Sequence, residues 1–308
     1  MQETKIILLG IETTIAQTIL GQLEAHHYPF ERIVLMDHHQ NTPQTIFYMG
    51  EEKPVLPVDL FAEKSPYIVL LCDKKIPLSY PSKRIPKRAH VIDCTAVLSK
   101  APCFIPHINR FRPQARLICA PTSLTVILAH ALTPLKKIAR QFQVIALIGT
   151  SFLGQEANQK LKAQTASLFT KIPLDPLLNA PALAFNLIPE LLPPHKLITP
   201  CQLKCITGID MQFTHCFVPV FRGVSLYLNC QLQRKINIKS LYANNPLIQY
   251  LEEPTPDFMI SNRATLSENK IYLHHEQLNQ NRLSFWLTGD DIQSGMALNI
   301  IHIIQHLE

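Results

Sequence analysis

The 308-residue sequence has no uninterrupted apolar run of the roughly 18 residues that a membrane-spanning helix requires. Its first residues, Met1–Lys5, lack the basic segment and apolar stretch of a secretion signal. Apolar residues still make up 47% of the chain, which is enough for a substantial hydrophobic core. The sequence therefore predicts a globular cytoplasmic protein without a membrane-spanning segment, and its length favours two domains.

The eight cysteines form no tight disulfide framework and are expected to be reduced in a cytoplasmic chain of this size. Cys201 and Cys205 are close in sequence, but no second cysteine or histidine pair follows at zinc-finger spacing. Adjacent histidines such as His274 and His275 are poor chelates because their side chains point in different directions. No metal site is predicted.

Much of the net charge of +6 lies in one basic stretch. Its members are Lys74, Lys75, Lys83, Arg84, Lys87 and Arg88. Such a stretch is able to meet an acidic partner or a phosphate backbone. It lacks the interleaved aromatic residues of a single-strand binder, so a solvated surface is favoured and nucleic acid is not the expected partner.

In the first part of the chain, short apolar runs alternate with helical periodicity. Strands are predicted over Lys5–Gly10, Arg32–Asp37, Tyr67–Cys72, His90–Asp93 and Arg116–Cys119. After the first strand, Ile15, Ile19 and Leu23 recur at helical spacing, with Thr13 or Thr14 as the cap. This alternation indicates a parallel sheet wound with helices.

The remaining chain contains longer predicted strands. The predicted elements are a helix over Thr122–Lys137, a strand over Val144–Gly149, a helix over Gln155–Phe169, a proline-rich connection over Pro173–Pro200, strands over Thr214–Phe221 and Ser225–Arg234, and a helix over Asp291–Leu307. The residues from Phe217 to Leu228 are largely apolar, which implies that other parts of the protein pack against both faces of these strands. A partner subunit in a two-fold dimer would supply the second cover, and helices of the same chain are the alternative.

Five segments, in a fixed order, resemble motifs of the aspartate-semialdehyde dehydrogenases. They are Val91–Asp93 (VID), Ile105–Asn109 (IPHIN, similar to the family's PEVN segment), Ala184–Pro189 (AFNLIP), Val218–Gly223 (VPVFRG) and Gly289–Asn299 (GDDIQSGMALN). Together they span nearly the whole chain. Among the subgroups, the chain looks most like the Usg-type proteins.

The resemblance implies an α/β protein with two domains. A Rossmann-like dinucleotide-binding domain would cover residues 1–122, and the C-terminal helix, residues 290–308, would pack back on it. An α+β dimerisation domain with a largely antiparallel sheet would cover residues 123–289. Family members interconvert an aldehyde and its acid derivative through a cysteine thioester, with NADP as the hydride carrier.

The chain departs from the family at the reacting groups. The resemblance places Ser123 at the position of the cysteine nucleophile and Val224 at that of the histidine base. A serine hydroxyl needs a strong base beside it, whereas a thiol ionises more easily. Valine cannot transfer a proton, so Ser123 is expected to be an ordinary serine near a helix N-terminus.

The substrate-binding positions are replaced as well. Phe217 matches a substrate-binding arginine, and Ile148 matches an active-site glutamine. Ser99 matches a further arginine, for which the adjacent Lys100 is at best a partial replacement. No catalytic residue is therefore expected at the matched positions.

The cofactor fingerprint is also incomplete. Gly10 remains from the family's glycine-rich turn, but Thr13 puts a branched side chain where the backbone would approach a pyrophosphate. Asp37 is able to accept ribose hydroxyls, although an aspartate here is also a common turn residue. Gly10 and Asp37 are the candidates for a vestigial cofactor site. No cofactor is expected, and any residual binding should favour NAD, because Asp37 repels the extra phosphate of NADP.

The preferred hypothesis is a catalytically inactive, homodimeric scaffold that binds an unidentified protein or small-molecule ligand. The alternative is an active NAD(P)-dependent oxidoreductase that acts on an aldehyde or acyl phosphate through non-standard residues. Its nucleophile would be Ser123 or a displaced cysteine, for which Cys94, Cys119 and Cys216 are the candidates.

Overall fold

A computed structural model describes residues 4–38, 45–58, 67–76, 89–95, 101–111, 116–171, 175, 178, 181–190, 199–252 and 269–308. The chain divides into two compact units. The first unit contains Met1–Thr122 and Met296–Glu308, and the second contains Ser123–Gly295. Among the helices of the described residues, none has both the length and the apolar character needed to cross a membrane.

The first unit is built on a sheet of seven described strands. In chain order they are β1 (Lys5–Leu9), β2 (Ile33–Asp37), β3 (Thr45–Tyr48), β4 (Glu51–Pro57), β5 (Tyr67–Leu71), β6 (His90–Asp93) and β7 (Leu117–Cys119). The spatial order is β3-β4-β2-β1-β5-β6-β7, and every neighbouring pair is parallel except the β3–β4 hairpin. The central strands β1 and β5 are almost entirely buried, as expected for a parallel sheet covered on both faces.

Two helices bury apolar side chains against this sheet. Helix α1 (Thr14–Ala25) places Ile19 and Leu23 in the same core cluster as Ile6 and Leu8 of β1. The C-terminal helix, given below as α6, adds Ile300 and the following isoleucines to that cluster. Their shared core explains why residues 296–308 fold with the N-terminal part of the chain.

Among the described residues, the second unit contains four α-helices, a 3-10 helix (Thr150–Leu153), most of a π-helical segment and a second sheet. The helices are α2 (Ser123–Leu132), α3 (Gln155–Thr170), α4 (Thr199–Thr207) and α5 (Ile238–Tyr242), followed by a π-helical segment (Asp291–Ala297) that leads into α6 (Leu298–Leu307). The strands are β8 (Ala139–Ile148), β9 (Ile188–Pro189), β10 (Met211–Phe217), β11 (Val224–Leu232), β12 (Ile248–Tyr250), β13 (Ile271–Asn279) and β14 (Arg282–Gly289). All ten residues of α2 are buried, which is typical of a helix with apolar residues on every side.

The second sheet is mixed and largely antiparallel. Its order is β12-β13-β14-β11-β8-β10-β9, with parallel pairing only for β12–β13 and β8–β10 among the described strands. Together with the parallel first sheet, this architecture confirms the predicted α/β fold class.

Several predicted boundaries were wrong. The helix predicted to run from Thr122 to Lys137 ends at Leu132, because Pro134 has no N–H and disfavours helical backbone before it. The strand predicted to start at Val144 starts at Ala139. Its extra residues mix buried and exposed side chains, so they lack the continuous apolar run used for the prediction.

The strands predicted over Thr214–Phe221 and Ser225–Arg234 are present as two strands, but their bounds differ and their apolar character is not continuous. Strand β10 ends at Phe217 and β11 begins at Val224, with a loop between them that contains Pro219. Along β11, buried residues alternate with less buried ones such as Ser225 and Asn229. The chain therefore buries one face of β11 itself, and the other face is a mixture of apolar and polar side chains.

Candidate functional site

Three of the positions matched to the family's chemistry lie side by side in the second sheet. Ile148 ends β8, and its register partners are Phe217 on β10 and Val224 on β11. The exposed fractions of the three residues are 0%, 1% and 1%. Although these positions are far apart in sequence, strand pairing brings them into one buried row, which we call the apolar row.

The apolar row is packed on its neighbours. Phe152 places its ring 6.3 Å from that of Phe217, and Gly289 of β14 is the register partner of Val224. None of the three side chains in the row carries a charge, a hydrogen-bond donor or a transferable proton. The row can therefore contribute packing, but it cannot bind a carboxylate or act as a general base.

Ser123 lies at the first position of α2 and is 7% exposed. A Cβ atom at Gly295 would lie 2.9 Å from the Ser123 Cβ, so the glycine allows the two segments to approach closely. Among the described residues, no imidazole or carboxylate hydrogen-bonds to the Ser123 hydroxyl. The geometry provides no base for a serine nucleophile.

Two buried carboxylates near the apolar row were not predicted as a cluster. Asp290 forms an ion pair with Arg222, with 2.9 Å between Oδ2 and Nε, while Asp291 accepts the Gly223 N–H at 3.1 Å. Burial, reinforced by the charge of Asp290, raises the pKa of Asp291 to about 6. These contacts tie the β10–β11 loop to the start of the π-helical segment. The only sequence signal was the pair of adjacent acids directly after Gly289.

The structure brings the two candidate cofactor residues together at the carboxyl ends of β1 and β2. The Gly10 N–H donates to the carbonyl of Met36 at 3.0 Å, and Gly10 has a φ of +87°. A Cβ atom there would lie 2.4 Å from that of Asp73, so the fold itself requires glycine at this position.

The Asp37 carboxylate is occupied by backbone groups. One oxygen accepts the Glu12 N–H at 3.3 Å, and the other accepts the His38 N–H at 2.7 Å. The Asp37 side chain is only 1% exposed. These contacts are typical of an aspartate in a turn, which was the alternative to ribose binding in the sequence analysis.

Thr13 occupies the N-terminus of α1, where a dinucleotide pyrophosphate would approach. Of the two predicted capping residues, Thr13 is the N-cap, and its hydroxyl accepts the Ala16 N–H at 3.3 Å. The same hydroxyl donates to the Gly10 carbonyl at 3.0 Å. The side chain thus fills the space that the second glycine of a dinucleotide fingerprint leaves open.

The candidate cysteine nucleophiles lie in protected positions. Cys94 and Cys119 are 6% and 3% exposed, and contacts with neighbouring thiols together with burial raise the pKa of both. Cys216 is half-buried, and its thiol donates to the Phe217 carbonyl. A thiol with a raised pKa is a poor nucleophile near neutral pH.

The first unit has a concave site that the sequence did not indicate. This cavity of about 640 Å³ lies between the segment after Phe104 and the exposed side of α6. Its lining residues are Phe104, Pro106, His107, Asn109, Arg110, Phe111, His302, Gln305 and His306. One arginine and three histidines line it together with two phenylalanines, and none of these residues is acidic.

Some predicted positions cannot be placed. Ser99, Lys100 and the basic residues Lys83, Arg84, Lys87 and Arg88 lie outside the described residues. Within the described ranges, no group of three or more histidine, cysteine, aspartate or glutamate side chains is arranged to hold a metal ion.

Known proteins match this chain over nearly their whole length. No family model matches the chain. The aspartate-semialdehyde dehydrogenase of Synechocystis sp. is 23% identical, with 98% of this chain and 97% of the relative covered. A USG-1 protein homolog of Pseudomonas aeruginosa is 22% identical, with 97% and 96% covered.

Solved structures show the same fold. A probable aspartate-semialdehyde dehydrogenase from Pseudomonas aeruginosa matches with a TM-score of 0.86 at 20% identity, covering 99% of this chain and 98% of that chain. Aspartate semialdehyde dehydrogenase II from Vibrio cholerae, complexed with ASA, matches with a TM-score of 0.85 at 17% identity, covering 100% and 98%. The chain is therefore similar over nearly its whole length to aspartate-semialdehyde dehydrogenases and USG-1 proteins, and it shares the fold of the former.

Proposed function

We propose that this protein is a catalytically silent member of its family that acts as a homodimeric scaffold or binding protein. The observation that carries the proposal is the apolar row of Ile148, Phe217 and Val224. Aldehyde oxidation through an acyl intermediate requires a proton-transfer group and donors for a charged substrate. At the matched positions, the fold instead buries three apolar side chains, whose exposed fractions are at most 1%.

The remaining nucleophiles do not restore the chemistry. Ser123 has no base among the described residues, and Cys94 and Cys119 are buried thiols with raised pKa. A single replaced residue is often compensated elsewhere, but nucleophile, base and substrate-binding groups are all replaced here. This combination favours the inactive protein over the alternative of an oxidoreductase with non-standard residues.

NADP does not fit the residues at the carboxyl ends of β1 and β2. Thr13 fills the N-terminus of α1 with its capping hydroxyl, and Asp37 uses its carboxylate to bind backbone N–H groups. A pyrophosphate would have to displace the Thr13 side chain, and a ribose would have to displace the backbone N–H groups from the Asp37 carboxylate. We therefore expect no bound cofactor, and calorimetry should detect no micromolar NADP binding. Any residual binding should be to NAD.

A homodimer is supported by the outer face of the second sheet. Ile145, Tyr227 and Trp286 are register partners across β8, β11 and β14. Ile145 is 46% exposed, and the half-buried rings of Tyr227 and Trp286 lie 5.3 Å apart. A cluster of apolar and aromatic side chains on an open sheet face is typical of a protein interface. A two-fold axis would place the same face of a second copy over it.

The cavity beside α6 is the candidate site for a small ligand. Arg110, His107, His302 and His306 offer donors to an anionic group, and the phenylalanines offer an apolar wall for a ring. The expected ligand class is therefore a small carboxylate or phosphate that also carries an apolar or planar part.

Native mass spectrometry of the purified protein tests the assembly and binding parts of this proposal together. The expected species has twice the mass of one chain, and addition of a small aryl phosphate should give a complex that Arg110→Ala weakens. A monomer at micromolar concentration would contradict the dimer, and an unchanged complex with Arg110→Ala would exclude the cavity. Turnover of aspartate semialdehyde tests the catalytic part, and no NADPH formation is expected.

A further inference from the structure

Four cysteines gather at the carboxyl edge of the first sheet. Cys72 directly follows β5, Cys94 directly follows β6, and Cys119 ends β7. Cys103 joins them because an isolated parallel bridge pairs it with Cys119. The thiols form two contacts, Cys72 with Cys94 and Cys103 with Cys119, which we call the inner pair and the outer pair.

Backbone hydrogen bonds hold the outer pair in register. The Cys119 N–H donates to the carbonyl of Pro102 at 3.1 Å, and the Phe104 N–H donates to the carbonyl of Cys119 at 3.4 Å. These two bonds place Cys103 directly opposite Cys119. Neighbouring strands lie about 4.8 Å apart, which is within the range of roughly 4.4–6.8 Å that the Cα atoms of a disulfide span.

The two thiols of the outer pair differ in access and in acidity. Cys119 is 3% exposed, whereas Cys103 is half-buried and so can be reached by a small reagent. The Cys103 and Cys119 side chains interact, and this contact lowers the pKa of Cys103 and raises that of Cys119. The pair therefore combines an accessible, more acidic thiol with a protected, less acidic one.

We propose that the outer pair is a peroxide-sensitive site, in which Cys103 supplies the attacking sulfur and Cys119 is the thiol that closes a reversible disulfide. The function is independent of the proposed loss of dehydrogenase activity, because neither cysteine belongs to the matched catalytic positions. A thiolate that is accessible and lies next to a second thiol is the usual arrangement of a redox-sensitive cysteine.

The chemistry balances with hydrogen peroxide as the oxidant. The Cys103 sulfur attacks one peroxide oxygen, the O–O bond breaks, and the departing hydroxide takes up a proton to become water. The Cys119 sulfur then attacks the resulting sulfenic acid, its thiol proton leaves with the hydroxyl group as a second water, and the S–S bond forms. The two sulfurs lose two electrons in total, and a thiol reductant returns them.

The inner pair provides a matched contrast within the same molecule. Cys72 and Cys94 are 4% and 6% exposed, and both belong to the apolar core cluster of the first unit. The contact with Cys72 and burial raise the pKa of Cys94. A pair without access to a reagent should stay reduced in the folded protein, so contact between two sulfurs is not by itself sufficient.

Peptide mapping of the folded wild-type protein tests the proposal without any substitution. The protein is treated with hydrogen peroxide, free thiols are alkylated with iodoacetamide in denaturant, and the digest is analysed by mass spectrometry. We expect one linked pair of peptides that contains Cys103 and Cys119, together with alkylated Cys72 and Cys94. Dithiothreitol should remove the link. Absence of this link, or a link within the inner pair instead, would overturn the proposal.

Variants assign the two roles. In Cys119→Ser, the Cys103 sulfenic acid cannot be closed to a disulfide and should be trapped by dimedone. In Cys103→Ser, the linked peptide should be lost and Cys119, which is 3% exposed, should not be labelled by dimedone. Cys216→Ser is the control, because Cys216 is also half-buried but has Leu147 and Pro189 as strand neighbours. A larger effect of Cys216→Ser than of Cys103→Ser would contradict the assignment.

Discussion

Replacing Ile148 with glutamine puts back the residue type that the family resemblance implies at this position, and we expect it to destabilise the protein. Ile148 is fully buried between Phe217 and Val224. Loss of a buried isoleucine costs about 1.5–3 kcal/mol. An amide buried among apolar neighbours without a hydrogen-bond partner costs a further ~1–3 kcal/mol. The sum, roughly 2.5–6 kcal/mol, is a large part of the stability of about 5–15 kcal/mol that is usual for a folded protein.

Urea denaturation followed by circular dichroism measures this effect, and an exposed leucine of the second unit provides the control. Leu168 lies on α3, outside the sheet face proposed as the dimer interface, and is 61% exposed. Leu168→Gln makes a comparable chemical change at the surface and should alter the free energy of unfolding by no more than about 1 kcal/mol. If Ile148→Gln were as mild as Leu168→Gln, the matched positions would be polar or hydrated, and the account of a filled apolar row would be wrong.

Three further predictions concern titration and capping. The pKa of Asp291 is raised from 3.8 to about 6, so the folded state binds this proton more tightly than the unfolded state does. The free energy of unfolding therefore decreases as pH rises from about 4 to about 6. Urea titrations at several pH values should show this decrease in the wild-type protein but not in Asp291→Asn. The pKa of His274 is lowered from 6.5 to about 4, chiefly by burial, so the free energy of unfolding decreases as pH falls through that interval. The same titrations should show a smaller decrease in His274→Gln. The contribution of His274 to stability therefore has the opposite pH dependence to that of Asp291. Thr13→Ala removes the N-cap of α1 and should lower the free energy of unfolding by about 1 kcal/mol, whereas no loss would show that the cap is dispensable.

The central strands of the first sheet were predictable because each is a short, continuous apolar run. The β3–β4 hairpin was not predicted, because its strands mix exposed and buried residues. Its turn contains Met49 with a φ of 53°, a backbone conformation that residue type does not reveal. Helix α4 was missed because it begins beside Pro200 at the end of a proline-rich segment, although proline is well tolerated in a first helical turn.

The candidate site was only partly predictable. The family resemblance marked Ile148, Phe217 and Val224 individually, but only strand register shows that they form one row. The same is true of Cys103 and Cys119, whose pairing depends on a bridge outside the regular strands. Sequence spacing does not encode such contacts between distant segments, so the fold was needed to find them.

Steady-state turnover tests the central claim most directly. The purified protein is incubated with aspartate semialdehyde, inorganic phosphate and NADP or NAD, and reduced cofactor is followed by its absorbance. An active aspartate-semialdehyde dehydrogenase serves as the positive control, and Ser123→Ala as the matched variant. We expect no reduced cofactor above background from either form of this protein. Steady formation that disappears in Ser123→Ala would show that the serine is a working nucleophile and would contradict the account.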